Sequence, residues 1–97
     1  MPTYIGLYKY TDQGIKNVKD SPDRVQDAIK AAESMGAKVM GVYSVMGEYD
    51  LVTIGEFPSD EAAMTFALAT GARGNVRSTT LKAFTQDEFA AIVKKLP

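Results

Sequence analysis

The chain of 97 residues contains no cysteine and no histidine. Without cysteine it can form neither disulfide bonds nor thiolate metal sites, and it has no cysteine nucleophile. Without histidine it lacks the side chain that most often serves as general base and metal ligand. Acid–base chemistry is left to Asp, Glu, Lys, Tyr and Arg, and a metal would need oxygen ligands. We expect no metal site and no cofactor.

A strong charge of either sign is also missing, and so are long apolar runs. The net charge is −1, so no basic field would hold nucleic acid or an anionic membrane surface. No apolar run approaches the roughly 20 residues needed to cross a bilayer. The segment Met1–Tyr4 has no basic stretch and leads into a strand-like run. We therefore expect no signal peptide, a cytoplasmic location, and neither nucleic acid nor membrane as partner.

What the chain does contain predicts one globular domain over residues 1–97, since 45% of its residues are apolar. Strand-like runs cover Thr3–Tyr10, Val39–Met46, Leu51–Phe57 and Val76–Phe84. Apolar residues at helical spacing predict a helix that starts at an N-cap Ser21 and stops at Gly36. A second helix follows Pro58, and a third follows a capping box at Thr85. The segment Thr11–Lys19 is predicted to be a loop.

This order, βαββαβ with a C-terminal helix, predicts an α+β fold of the ferredoxin-like type. Right-handed crossovers give an antiparallel sheet with strand order 4-1-3-2. We expect one face of the sheet to meet the helices and assign to it Ile5, Leu7, Val52 and Ile54. The other face would then carry Tyr4, Tyr8, Tyr10, Leu51 and Phe57.

An aromatic second face suggests that two copies pack sheet to sheet as a homodimer or within a larger homo-oligomer. The alternative is that tyrosines tolerate half-exposure because their hydroxyls stay wet. Both interpretations leave the helices on a single side of the sheet.

The topology brings three connections to one pole of the domain: Thr11–Lys19, Gly47–Asp50 and Gly71–Asn75. Loops on a rigid scaffold are where binding groups collect. The candidate ligand-binding residues at or near this pole are Thr11, Gln13, Tyr43, Tyr49, Asp50, Arg73 and Asn75. Asp50 and Tyr49 are the best candidates for a catalytic role, as a base and as a weak acid.

Each candidate also has a structural interpretation. Asp50 can accept backbone N–H bonds in its turn or pair with Arg73. Tyr49 can pack its ring over the end of the hairpin. Arg73 can be a surface cation favoured by the negative end of the second helix. Thr11 and Gln13 can cap their own loop.

Four motifs at their spacing resemble the GYD domain family: Gly47-Glu48-Tyr49-Asp50, Thr11-Asp12-Gln13-Gly14, Ser21-Pro22-Asp23-Arg24 and Gly74-Asn75-Val76-Arg77. The resemblance extends from Thr3 to about Thr85. It implies a small protein of the dimeric α+β barrel group. That group includes cofactor-independent oxygenases, haem-degrading enzymes, isomerases and ligand-sensing domains, and fold analogy does not choose among them. Haem ligation through histidine is not available here.

Three functional hypotheses follow. The first is a small-molecule binding or assembly module, and the missing His and Cys favour it. The second is an enzyme of the cofactor-independent oxygenase or isomerase type, with Asp50 as base and Tyr49 or Arg73 stabilising an oxyanion. The third is a purely structural subunit of a homo-oligomer.

Overall fold

The computed structural model describes all 97 residues as four strands, four α-helices and one 3₁₀ turn. None of the helices has both the length and the apolar character needed to cross a bilayer. In chain order the elements are β1 Thr3–Tyr10, α1 Asp12–Lys16, the 3₁₀ turn Val18–Asp20, α2 Ser21–Ser34, β2 Lys38–Ser44, β3 Leu51–Glu56, α3 Asp60–Ala72, β4 Val76–Ala83 and α4 Gln86–Val93.

The four strands form one antiparallel sheet in the order β2-β3-β1-β4. This is the predicted order 4-1-3-2 read from the other edge, so the α+β ferredoxin-like prediction is confirmed. Both long helices, α2 and α3, contribute to the core on one side of the sheet, through Ala32 and Ala63. The open strand edges are therefore β2 and β4.

Local signals in the sequence set the ends of the helices. Gly36 and Gly74 follow α2 and α3 with φ angles of 86° and 84°, which glycine adopts without a steric penalty. At the start of α3 the Ser59 Oγ accepts a hydrogen bond from the Ala62 N–H at 3.2 Å. The capping box at α4 is confirmed, since Thr85 and Glu88 exchange both of its hydrogen bonds.

The prediction of a loop over Thr11–Lys19 is wrong, because most of this segment is helical. Thr11 acts as N-cap of α1, and its Oγ1 accepts a hydrogen bond from the Gly14 N–H at 3.1 Å. The prediction of Ser21 as an N-cap is also wrong. Ser21 is the first residue of α2, and its Oγ lies 3.0 Å from the hydroxyl of Tyr10.

The two faces of the sheet are the reverse of those predicted. Tyr4 and Tyr8 are buried against the helices, and Phe57 joins Tyr4 in the core. The strand register places Ile5 opposite Ile54 on the other face, together with Leu7, Val52, Tyr43 and Leu81. We call this second side of the sheet the open face.

The tyrosines can face the helices because each hydroxyl finds a polar partner there. Tyr4 donates to the carboxylate of Asp60, and Tyr10 meets Ser21. The Tyr4 ring also packs edge-on against Phe57, with a centroid distance of 5.9 Å. A buried phenol with a partner costs far less than one without. The hydroxyls that suggested exposure instead find their partners on the helix side of the sheet.

Candidate functional site

Two of the three predicted connections are joined by hydrogen bonds at the end of β1. The Thr11 N–H donates to the Asn75 carbonyl at 3.0 Å, and Thr11 Oγ1 donates to the Gly74 carbonyl at 2.5 Å. Gln13 Nε2 donates to the Arg73 carbonyl at 3.1 Å and to Asn75 Oδ1 at 2.9 Å. The start of α1 is therefore tied to the segment that links α3 to β4.

Asp50 brings the third connection to the same pole. Its N–H donates to the Tyr8 carbonyl at 2.8 Å, and its Oδ2 accepts the Tyr10 N–H at 2.8 Å. Its carbonyl accepts the Val45 N–H at 3.0 Å, which closes the connection between β2 and β3. The carboxylate thus continues the β1–β3 hydrogen-bond ladder beyond the last strand pair. The structural alternative had Asp50 accept backbone N–H bonds within its own turn, whereas the N–H that it accepts belongs to Tyr10 of β1.

The hairpin connection is longer than predicted and runs from Val45 to Asp50 between β2 and β3. Gly47 has a φ of 114°, which explains the glycine of the Gly47–Asp50 motif. At its surface the Lys9 Nζ lies 5.3 Å from the centroid of the Tyr49 ring and 3.7 Å from Glu48 Oε1. These contacts hold Tyr49 over the end of β1, and exposed pairs of this kind contribute little to stability.

Gly14 is a residue of the pole that the sequence placed in a family motif but to which it gave no role of its own. A Cβ atom at Gly14 would lie 1.9 Å from the carbonyl oxygen of Asn75, which is well inside van der Waals contact. Gly14 is buried, and its missing side chain lets α1 approach the start of β4. The sequence feature that could have indicated this close approach is a glycine inside a short stretch that begins with an N-cap threonine.

The side chains of the remaining predicted residues are not drawn into this network. The side chain of Arg73 is exposed and forms no ion pair with Asp50. Tyr43 lies on the open face at 60% exposure, with its ring close to Gly41. The pole therefore unites Thr11, Gln13, Asp50 and Asn75, leaves Tyr49 at its surface, and excludes Tyr43.

A cavity of about 80 Å³ lies between the sheet and the helices. Most of its lining is apolar, and Tyr8 supplies a hydroxyl that hydrogen-bonds to Thr53. Burial raises the pKa of Tyr8, and the Thr53 hydrogen bond opposes that change. Ligand pockets measure roughly 300–1,000 Å³. The cavity is far smaller than that, and none of the predicted binding residues lines it.

A second polar group that the sequence did not reveal lies at the opposite pole, where α3 begins. Asp60 accepts the Tyr4 hydroxyl and pairs with Lys82, whose Nζ lies 3.0 Å from Asp60 Oδ1. The hydrogen bond to Asp60 raises the pKa of Tyr4 to about 12 and lowers the pKa of the Asp60 carboxyl. The pair links the core end of β1 to the first turn of α3 and to β4.

Comparison with known proteins agrees with this architecture. The family model described as the GYD domain matches residues 4–93. The chain is also similar to the "Glutamine synthetase and cystathionine beta-lyase binding protein" of Thermus thermophilus, with 30% identity over 95 residues. That match covers 97% of this chain and 100% of the relative. No solved structure matches with significance. A family match over nearly all of the sheet and helices means that this chain belongs to the GYD domain family.

Proposed function

We propose that this protein is a binding and assembly module that pairs with a second copy through its open face and binds a protein partner. The observation that carries the proposal is the apolar character of that face. Its central side chains are Ile5, Leu7, Tyr43, Val52, Ile54 and Leu81, and the same register places Thr3, Lys9, Glu56, Arg77 and Thr79 around them. A sheet with one solvated face normally carries polar residues there.

The surface area of the chain supports the same proposal. A monomer of 10.5 kDa is expected to expose about 5,400 Å². This chain exposes 6748 Å². The surplus of about 1,300 Å² exceeds the roughly 800 Å² that each partner contributes to a standard interface. Only 7 of 97 residues are buried, so association would bury more apolar surface than one copy buries alone.

A protein partner is supported by the Thermus thermophilus relative, which is described as binding glutamine synthetase and cystathionine beta-lyase. We extend the capacity to bind such enzymes to this chain as part of the proposal. No observation favours the oxygenase or isomerase alternative, since Asp50 does not line the internal cavity.

One observation favours a small-molecule ligand as a second candidate function. The guanidinium of Arg73 is exposed beside the pole and has no carboxylate partner. An unpaired guanidinium can bind a carboxylate or phosphate group in a bidentate fork. Calorimetry with carboxylate and phosphate metabolites tests this, with Arg77→Ala as the matched control for Arg73→Ala. Binding that both variants retain would remove the site.

The assembly proposal is tested by placing a charge on the open face. Leu81 is 45% exposed on the edge strand β4, so Leu81→Lys is compatible with a folded single copy. In a two-fold symmetric contact each copy places one new lysine in the interface, so two charges would be buried there. We expect the association constant to fall at least tenfold. The control is Met46→Lys, at a hairpin position that is 99% exposed. Equal association constants for the two variants, measured by sedimentation velocity, would contradict the open-face contact.

The partner is tested separately by titrating purified glutamine synthetase and cystathionine beta-lyase of the source organism with the chain. We expect saturable heat or mass change with at least one of them. Self-association without binding to either enzyme would leave the assembly part standing and remove these two enzymes as partners.

A further inference from the structure

The C-terminal helix α4 carries an apolar stripe that nothing in its own chain covers. Phe89, Ile92, Val93 and Leu96 follow the spacing of one helix face, and every residue from Phe84 to Pro97 is exposed. Isolated helices shorter than about 12 residues are marginally stable in water. A helix of 8 residues with this stripe therefore requires an apolar surface from outside its own chain.

A groove that would receive such a helix runs between α3 and β4. Its volume is about 730 Å³. Met64 and Leu68 of α3 form its wall and are 61% and 65% exposed, while Ser78 and Thr80 lie along β4. β4 is an edge strand, and α3 leaves this side of it uncovered. The groove thus presents two large apolar side chains one helical turn apart.

The two ends of this groove differ in charge. At the start of α3 lie Asp60 and Glu61, with Lys82 paired to the first of them. At the other end Arg73 follows α3, and Arg77, which belongs to the open face by the strand register, borders the groove near the start of β4. The first end has a net negative charge, and the second is positive.

The helix α4 carries the complementary pattern. Asp87 and Glu88 lie in its first turn, and Lys94 and Lys95 follow its last turn. Opposite charges meet only if α4 runs antiparallel to α3 in the groove. That direction also opposes the two helix dipoles, which favours the pair.

The chain's own α4 enters from the wrong end. The chain leaves β4 at Ala83, beside Lys82 and Asp60, and only two residues separate Ala83 from the start of α4. Folding back into its own groove would run α4 parallel to α3. Its acidic first turn would then lie against the acidic start of α3. A second copy can approach from the opposite end.

We propose that α4 of one copy occupies the groove between α3 and β4 of a second copy, antiparallel to α3, and that the exchange is reciprocal. The shape of the chain agrees: its radius of gyration is 14.7 Å, and about 12.5 Å is expected for its length. Its longest dimension is 52 Å. This contact lies on a different surface from the open face, so it extends the proposed function and can hold without it.

The absence of cysteine from the chain allows a direct test by disulfide trapping. Antiparallel seating places Leu68 opposite Phe89 and Met64 opposite Val93. Purified single-cysteine variants are mixed in these matched pairs, Leu68→Cys with Phe89→Cys and Met64→Cys with Val93→Cys. The swapped pairs, Leu68→Cys with Val93→Cys and Met64→Cys with Phe89→Cys, serve as controls. All four positions are exposed, so each variant should fold.

Intact mass spectrometry then measures the disulfide-linked heterodimer after mild oxidation. We expect at least tenfold more from matched than from swapped pairs. Swapped positions are offset by about 6 Å along the helix, which exceeds disulfide reach. More linkage in swapped pairs would overturn the antiparallel seating, and equal or absent linkage would overturn the contact. The same experiment in the Leu81→Lys background separates the two interfaces, since matched linkage must persist when the open face is disrupted.

Discussion

The close approach of α1 to β4 at Gly14 predicts that Gly14→Ala destabilises the fold, although helix propensity alone predicts that it stabilises the fold. Gly14 lies within α1, where Gly→Ala alone would stabilise the chain by about 0.5–1 kcal/mol. The new Cβ would meet the Asn75 carbonyl at 1.9 Å, however, and an ordinary carbon–oxygen contact needs about 3.3 Å. The backbones would have to separate by about 1.4 Å, the difference between these distances.

That separation has a definite energetic cost. Forcing a methyl group into a packed site costs about 1–3 kcal/mol. It would also stretch the Thr11 N–H bond to Asn75 and the Thr11 hydroxyl bond to Gly74, each of which contributes about 0.5–1.5 kcal/mol. Taking the middle of these ranges and subtracting the propensity gain, we expect Gly14→Ala to destabilise the fold by about 2–4 kcal/mol. The midpoint temperature should fall by roughly 10–25 °C for a domain of this size.

Gly71 provides the matched control. It lies near the end of α3, has no positive φ, and a Cβ there would meet nothing within 4 Å. Gly71→Ala should therefore raise the free energy of unfolding by about 0.5–1 kcal/mol. Both variants are compared with the wild type by far-UV circular dichroism during heating and in urea, at one protein concentration because association shifts the midpoint. A Gly14→Ala variant as stable as the wild type would refute the close approach of α1 to β4.

Two further predictions concern the poles of the domain. Asp50→Ala removes the acceptor of the Tyr10 N–H and should lower the free energy of unfolding in urea by about 1–2 kcal/mol. The control Glu48→Ala, at an exposed surface pair, should change that free energy by less than about 0.5 kcal/mol. Equal effects of the two variants would contradict the structural role of Asp50. Tyr4→Phe should lower the midpoint temperature most between about pH 4 and pH 10. The difference should narrow in acid as Asp60 takes up a proton, and again as pH rises towards the Tyr4 pKa of about 12. A difference independent of pH would contradict the hydrogen bond.

The strand order could be predicted from the sequence because its signals are local. Gly36 and Gly74 mark helix ends, Thr85 and Glu88 mark a helix start, and alternating runs mark strands. Right-handed crossovers then leave few ways to arrange four strands. The meeting of three connections at one pole followed from that order.

The two faces of the sheet could not be assigned from alternation alone. A period of two residues separates the faces but does not say which one meets the helices. The decision depends on partners distant in sequence, such as Asp60 for Tyr4. Gly6 offered a clue, because it shares a face with Tyr4 and Tyr8, and a Cβ there would lie 2.6 Å from the Tyr8 ring.

The roles of the polar residues at the pole were also beyond the sequence. Thr11, Gln13 and Asp50 bind backbone atoms, and any residue can supply those atoms. The types of these residues therefore suggested that they bind a ligand. In the structure Thr11, Gln13 and Asp50 instead bind the backbone of their own chain. Apolar surface on the open face and on α4 becomes recognisable only when the fold shows which side chains are left uncovered.

The central claim, that an apolar sheet face brings copies of this chain together, is tested most directly by the mass of the unmodified protein. Sedimentation equilibrium at micromolar concentration should return at least twice the 10.5 kDa of one chain, and this mass should fall in the Leu81→Lys variant. A wild-type mass of 10.5 kDa across the accessible concentration range would contradict the account.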